Sequence, residues 1–409
     1  MVQAAAESSI RQQQWHLDAM HAPEMWKISR GQGITVAVID GGFKLDHPDL
    51  AGQFLPGQDF SGGSGGVSSY ADPHGTLMAG LIAGTGKANG GKGAYGLAPG
   101  VKILPLKINN GSVGSLVSAD FLDQIGKAVD YAAGQGAKVI SISQGMNSVT
   151  ATPENVAKLN SVLASARAKG SLVFAAAGNE AKSGNPVDYP GALPNVVGIG
   201  AIDHSGSVTS ESSYGPQVAL VAPGMDTIGA CTTPSGYCKG HGTSDATALA
   251  SASAALIWSV HPDWSPNQIL RVLINTASRP NGGTVRTDDA GWGAVRPRVA
   301  LTDPGDPGPA NVSPLPADSA VPSAAPVPSV SGSMPASAVP VPVESPTDVP
   351  SARPVAGKSE AGSGGALPLV AGVVAGLVLV AGVVFAVVRR RRKPEGVQVP
   401  PPEGNPYAR

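Results

Sequence analysis

Ile34-Thr35-Val36-Ala37-Val38-Ile39-Asp40-Gly41-Gly42 is a run of β-branched and apolar residues that stops at a carboxylate and two glycines. It shows no polar alternation, so it reads as a parallel strand buried on both faces. Asp40 then falls at the C-terminal end of a central strand, where open α/β sheets gather their sites. A turn aspartate before two glycines is the plainer alternative.

The chain outward from this strand keeps alternating. Residues 72–84 read as a helix with small residues along one face and His74 at its start. Residues 102–108 form the next expected strand. The spacing of Phe121, Leu122, Ile125, Ala128, Val129 and Ala132 predicts a helix over 118–135. Strands are expected at 138–143, 172–177 and 196–201, with a helix over 153–169 between the first two. The stretch Ser265-Pro266-Asn267-Gln268 pairs a capping serine with a glutamine three residues on and starts a helix to about residue 275. This order predicts an α/β fold over residues 34–300 with a mainly parallel sheet flanked by helices. Residues 1–33 read as an N-terminal extension, irregular or partly helical, anchored by Trp15, Leu17, Met25 and Trp26.

A second junction is Gly240-His241-Gly242-Thr243-Ser244-Asp245-Ala246, where a glycine-rich turn runs into an alanine-rich apolar segment ending at Val260. A serine there meets unpaired N–H groups and the positive end of a helix dipole, which suits a nucleophile that must stabilise an oxyanion. Gly-Thr-Ser before an apolar helix also serves as a plain N-cap.

The chain has 409 residues, 42% of them hydrophobic, and a formal net charge of -1, which argues against a general nucleic-acid binder. Its two cysteines, Cys231 and Cys238, read as a short disulfide loop in an oxidising compartment, with two reduced thiols as the alternative. No metal ligands are assigned, since a zinc site needs further ligands at suitable spacing. Residues 301–365 are rich in Pro, Ala and Ser and read as an extended linker. Residues 366–388 are apolar or glycine apart from Pro368, and Arg389 to Lys393 follow as a basic block. This pattern predicts one transmembrane helix with residues 389–409 as a basic cytoplasmic tail and the preceding domain outside the cell. Export needs a signal, and residues 1–30 hold no apolar signal core, so a signal peptide is expected upstream of the sequence.

Asp40, His74 and Ser244, in that order and each at an element boundary, resemble the subtilisin family of serine proteases. The resemblance rests on Val-Ala-Val-Ile-Asp-Gly-Gly at 36–42, His-Gly-Thr-Leu-Met-Ala-Gly at 74–80, Ala-Ala-Gly-Asn at 176–179 and Gly-Thr-Ser at 242–244. It implies a serine endopeptidase with Ser244 as nucleophile, His74 as base and Asp40 as its orienting carboxylate. It further implies that Asn179 and the Ser244 N–H form the oxyanion hole, that Ser143-Gln144-Gly145 pair with the substrate backbone, and that Ala176, Ala177 and Gly178 wall the primary specificity pocket. No cofactor is implied; a structural calcium is allowed by the resemblance, without assigned ligands. Three departures stand out: Gly41 supplies no hydroxyl beside Asp40, Asp245 adds a charge after the nucleophile, and Ala248 replaces a proline. They lead to an expectation of modest turnover.

The wider architecture of protease domain, short cysteine loop, Pro/Ala-rich linker, single span and basic tail resembles the mycosins, membrane-anchored proteases of type VII secretion systems. That resemblance implies protein substrates among the exported proteins, a place in the cell membrane and partnership with the secretion membrane complex. The alternative function is a structural or regulatory component of that complex with weak or vestigial protease activity.

Overall fold

The computed structural model describes residues 9–109, 120–279, 282–283 and 285–315. The span expected at 366–388 and the tail at 389–409 lie outside the described residues, as does the linker beyond residue 315. Among the described residues no helix is long and apolar enough to cross a membrane.

In chain order the elements are α1 (Trp15–Ala19), α2 (Ala22–Met25), β1 (Thr35–Asp40), β2 (Gln58–Asp59), α3 (His74–Ala83), α4 (Ala88–Gly91), β3 (Lys102–Lys107), α5 (Phe121–Gly134), β4 (Val139–Ile142) and β5 (Met146–Asn147). There follow α6 (Pro153–Ala168), β6 (Leu172–Ala176), β7 (Asp188–Tyr189), β8 (Val196–Ile202), β9 (Val218–Pro223), β10 (Thr227–Ala230), β11 (Tyr237–Gly240), α7 (Thr243–Val260), α8 (Pro266–Thr276) and α9 (Pro297–Thr302).

Seven strands form one sheet in the order β2-β3-β1-β4-β6-β8-β9, and every neighbouring pair is parallel. Successive side chains of a strand point to opposite faces, and β1 divides accordingly. Val36 and Val38 enter the core beneath α3, α7 and α8 with Met78, Leu81, Leu249 and Trp258. Ala37 and Ile39 enter the core beneath α5 and α6 with Ile125, Val129, Leu159 and Leu163. A helix apolar all round must be buried all round. α7 meets that condition: its residues from Thr243 to Trp258 are buried, and its alanines and serines let α3 and the sheet come close.

The order places a switch point at β1. The chain runs from β1 to β2 and β3 on one side, then returns to β4 on the other. Asp40 at the end of β1, Ser143 just after β4 and Asn179 just after β6 therefore share the carboxyl edge of the sheet, the usual site of chemistry in such folds. At α8 the expected capping box is made: Ser265 Oγ accepts from Gln268 N, and Gln268 Oε1 accepts from Ser265 N.

Both ends of the domain are tied down. Leu17, Met20 and Met25 are fully buried, and the Gln14 amide donates to Tyr95 O and Ile228 O and accepts from Tyr95 N. Beyond α9 the chain stays on the domain to Leu315. Arg271 donates to the carbonyls of Pro307, Pro309 and Val312, while Ser265 and Asn267 donate to Ala310 O. The first part of the Pro/Ala-rich segment is thus docked along α8, because one guanidinium supplies several donors to carbonyls that proline-rich chain leaves unpaired.

Candidate active site

Asp40 is completely buried, and both its carboxylate oxygens lie 2.9 Å from His74 Nδ1. Two further donors hold it: the Gly41 backbone N–H at 2.8 Å and Gln144 Nε2 at 3.2 Å, both to Oδ1. They supply what the missing hydroxyl at position 41 would have supplied. His74 opens α3, and the close approach of this helix to β1 depends on Gly75. A Cβ there would stand 3.0 Å from Asp40 Cβ and 3.2 Å from its Cγ.

Burial alone would lower the His74 pKa, but the charge and hydrogen bond of Asp40 outweigh it, with smaller help from Asp245 and Asp72, and the imidazole is raised from 6.5 to about 9. An opposite charge in contact favours the charged form of a base. The ring keeps 28% of its surface open, so the face away from Asp40 remains reachable from solvent.

Ser244 lies in the first turn of α7 and is 8% exposed. Its hydroxyl donates to Ser143 O at 3.1 Å, and Ser143 Oγ donates back to Ser244 O at 3.1 Å. The serine hydroxyl therefore rests on the backbone just after β4 rather than on His74. Ser244 stands at the second helical position, where a backbone N–H has no partner within the helix.

Asn179 follows β6 and faces the same turn. Its Oδ1 accepts from Thr243 N at 2.9 Å and Thr243 Oγ1 at 3.0 Å, and among the described residues the Nδ2 amino group has no acceptor. Gly242 makes this approach feasible: its φ is +107°, and a Cβ would meet the Asn179 amide at 3.0–3.1 Å. Both the backbone angle and the contact exclude a side chain.

Asp245 turns away from the solvent and is bonded by the Thr227 hydroxyl. Burial pushes its carboxyl up to about 6, against the Thr227 hydrogen bond and the charges of His74 and His241. The charge expected beside the nucleophile is thus buried, and it is lost as pH falls through about 6.

Ser143, Gln144 and Gly145 lie directly after β4. Ala176 ends β6, with Ala177 and Gly178 in the turn before Asn179. Cys231 and Cys238 are joined as a disulfide across the β10–β11 hairpin. Among the described residues no three His, Cys, Asp or Glu side chains converge to hold a metal. The buried Asp49 carboxylate is occupied by donors, namely Ala88 N, Ala94 N and the Tyr237 hydroxyl. Sequence reading missed two supporting residues, the Gln144 side chain on Asp40 and Thr243 on Asn179. Only the Gly-Thr-Ser motif pointed toward the second.

The profile of the subtilase family, Peptidase S8, matches residues 31–293. An intracellular serine protease of Paenibacillus polymyxa is 34% identical over 248 residues, covering 59% of this chain and 71% of the relative. The crystal structure of MycP1 from Mycobacterium smegmatis superposes with a TM-score of 0.63 at 27% identity, covering 76% of this chain and 90% of that one. MycP3 protease from a type VII (ESX-3) secretion system superposes with a TM-score of 0.62 at 28% identity, covering 73% and 90%. The chain belongs to the subtilase family of serine proteases.

Proposed function

We propose that the protein is an endopeptidase that cleaves peptide bonds with Ser244, His74 and Asp40, anchored in the cell membrane with the catalytic domain outside. The carrying observation is the grip of both Asp40 oxygens on His74 Nδ1. A proton on Nδ1 leaves Nε2 with the lone pair a general base needs. When a substrate enters, rotation about χ1 moves the Ser244 hydroxyl from Ser143 O to Nε2. Oγ attacks the carbonyl carbon, Nε2 takes the hydroxyl proton, and the negative oxygen is met by the Ser244 N–H and Asn179 Nδ2. Collapse of the tetrahedral intermediate expels the amine, which takes that proton from His74. Water then repeats the sequence on the acyl-enzyme.

The apolar stretch at 366–388 followed by Arg389 to Lys393 supports the anchor and its orientation. Similarity to MycP1 and MycP3 supports a role in type VII secretion, with exported proteins as substrates and the membrane complex as partner. The test compares cells carrying Ser244→Ala with cells lacking residues 34–300. Loss of substrate processing in Ser244→Ala with the protein still present supports the proposal. Unchanged processing in Ser244→Ala contradicts it, and secretion that fails only on removal of the domain assigns the chain a structural role instead.

A further inference from the structure

Two carboxylates that have no cation beside them among the described residues lie between the segments read as the walls of the substrate pocket. Asp188 opens β7, which pairs antiparallel with β5 so that Asp188 stands opposite Asn147. A Cβ added to Gly145 would lie 2.5 Å from Asp188 Oδ1, and one added to Gly178 would lie 3.2 Å from Asp188 Oδ2 and 3.1 Å from Glu180 Oε2. The Asp188 carboxylate therefore occupies the space that two glycines leave open, one on each wall. Both walls abut the nucleophile: Ser143 exchanges hydrogen bonds with Ser244, and Asn179, next to Gly178, holds Thr243.

Among the described residues Asp188 Oδ1 is shielded from solvent and has no hydrogen-bond partner, although the residue as a whole keeps some surface. Among the described residues neither Asp188 nor Glu180 belongs to an ion pair. A shielded carboxylate without a partner is costly and is stabilised by a cation. Among the described residues the two carboxylates offer too few ligands for a metal site, whereas an ammonium or guanidinium brings a single cation on an aliphatic stem that can lie against the alanines and glycines of the two walls.

We propose that Asp188, backed by Glu180, makes this protease select lysine or arginine immediately before the scissile bond. The inference deepens the protease reading and rests on Ser244 as the nucleophile. Burial, then the Glu180 charge, push the Asp188 carboxyl up to about 7 against a backbone hydrogen bond from Tyr189, the sign expected of an acid that lacks its cation. An apolar side chain in the gap leaves that carboxylate unpaired, so discrimination works against it as well as for the basic one.

The test measures kcat/KM of the full chain on a peptide series that differs only in the residue before the cleaved bond. Lysine and arginine peptides are expected to exceed the leucine peptide by at least about tenfold, and Asp188→Asn to lower the basic peptides by at least about 30-fold while the leucine peptide changes by less than about threefold. A wild-type preference for leucine or phenylalanine, or an equal loss on all peptides in Asp188→Asn, overturns the proposal. Binding of lysine-ended and leucine-ended product peptides to Ser244→Ala chain, measured by fluorescence anisotropy with and without Asp188→Asn, reads the pocket without turnover. Tighter binding of the lysine peptide that disappears with Asp188→Asn supports the proposal, and equal binding overturns it. Lack of hydrolysis by the wild-type chain would count against the protease reading alone.

Discussion

Asp40 straddles His74: its two carboxylate oxygens are equidistant, at 2.9 Å, from one imidazole nitrogen. The arrangement fixes the ring's tautomer as well as its position. Asp40→Asn keeps the volume but presents an amide that can turn its N–H toward Nδ1 and force the proton onto Nε2. The expected result is a fall of about 10⁴-fold in kcat with folding retained, measured by peptide hydrolysis alongside circular dichroism.

The same contact sets the pH profile. The His74 pKa is raised from 6.5 to about 9, and catalysis needs the deprotonated ring. kcat/KM should therefore rise with pH on an acid limb displaced above 6.5, toward about 9. Asp245 is one of the negative charges that favour the imidazolium. Asp245→Asn removes that charge, so the limb should move to lower pH; a limb that stays put or moves up contradicts the assignment.

Asn179 has its oxygen committed to Thr243 and, among the described residues, its amino group without an acceptor. Asn179→Ala removes a donor that acts on the developing oxyanion, so kcat should fall by about 10²–10³-fold while KM changes little. A loss confined to KM would place Asn179 in ground-state binding instead.

Arg271 makes three hydrogen bonds to carbonyls of residues 307, 309 and 312. Arg271→Ala should release that segment from α8 and cost about 1–2 kcal/mol, seen as a lower denaturation midpoint and earlier cleavage by added protease between residues 303 and 315. Unchanged cleavage would show that the docking is held by other contacts.

The sheet was legible because its central strands are short β-branched runs buried on both faces, as at residues 34–39 and 138–143, and each ends in a turn that carries a motif. β9 escaped because Val218–Pro223 follows a loop with no helix before it, and its apolar run closes on a proline. The β10–β11 hairpin escaped because Thr227–Ala230 is only four residues with a glycine inside it and Tyr237–Gly240 carries no apolar run. The docking of residues 303–315 was hidden because composition registers prolines and not the guanidinium that meets their carbonyls. In the candidate site, Asp40, His74, Asn179 and Ser244 each stood in a recognisable motif. Gln144 on Asp40 and Asp188 behind Gly145 and Gly178 arise from tertiary juxtaposition, which no local pattern encodes.

Labelling of the folded full chain with a fluorophosphonate, followed by peptide mapping, tests the convergence of Asp40, His74 and Ser244 most directly, because the probe reacts with a serine whose proton is being taken by a base. Stoichiometric modification of Ser244, lost in His74→Ala and strongly slowed in Asp40→Asn, is the expected result. Absence of label on Ser244 in folded chain, or labelling indifferent to His74, would contradict it.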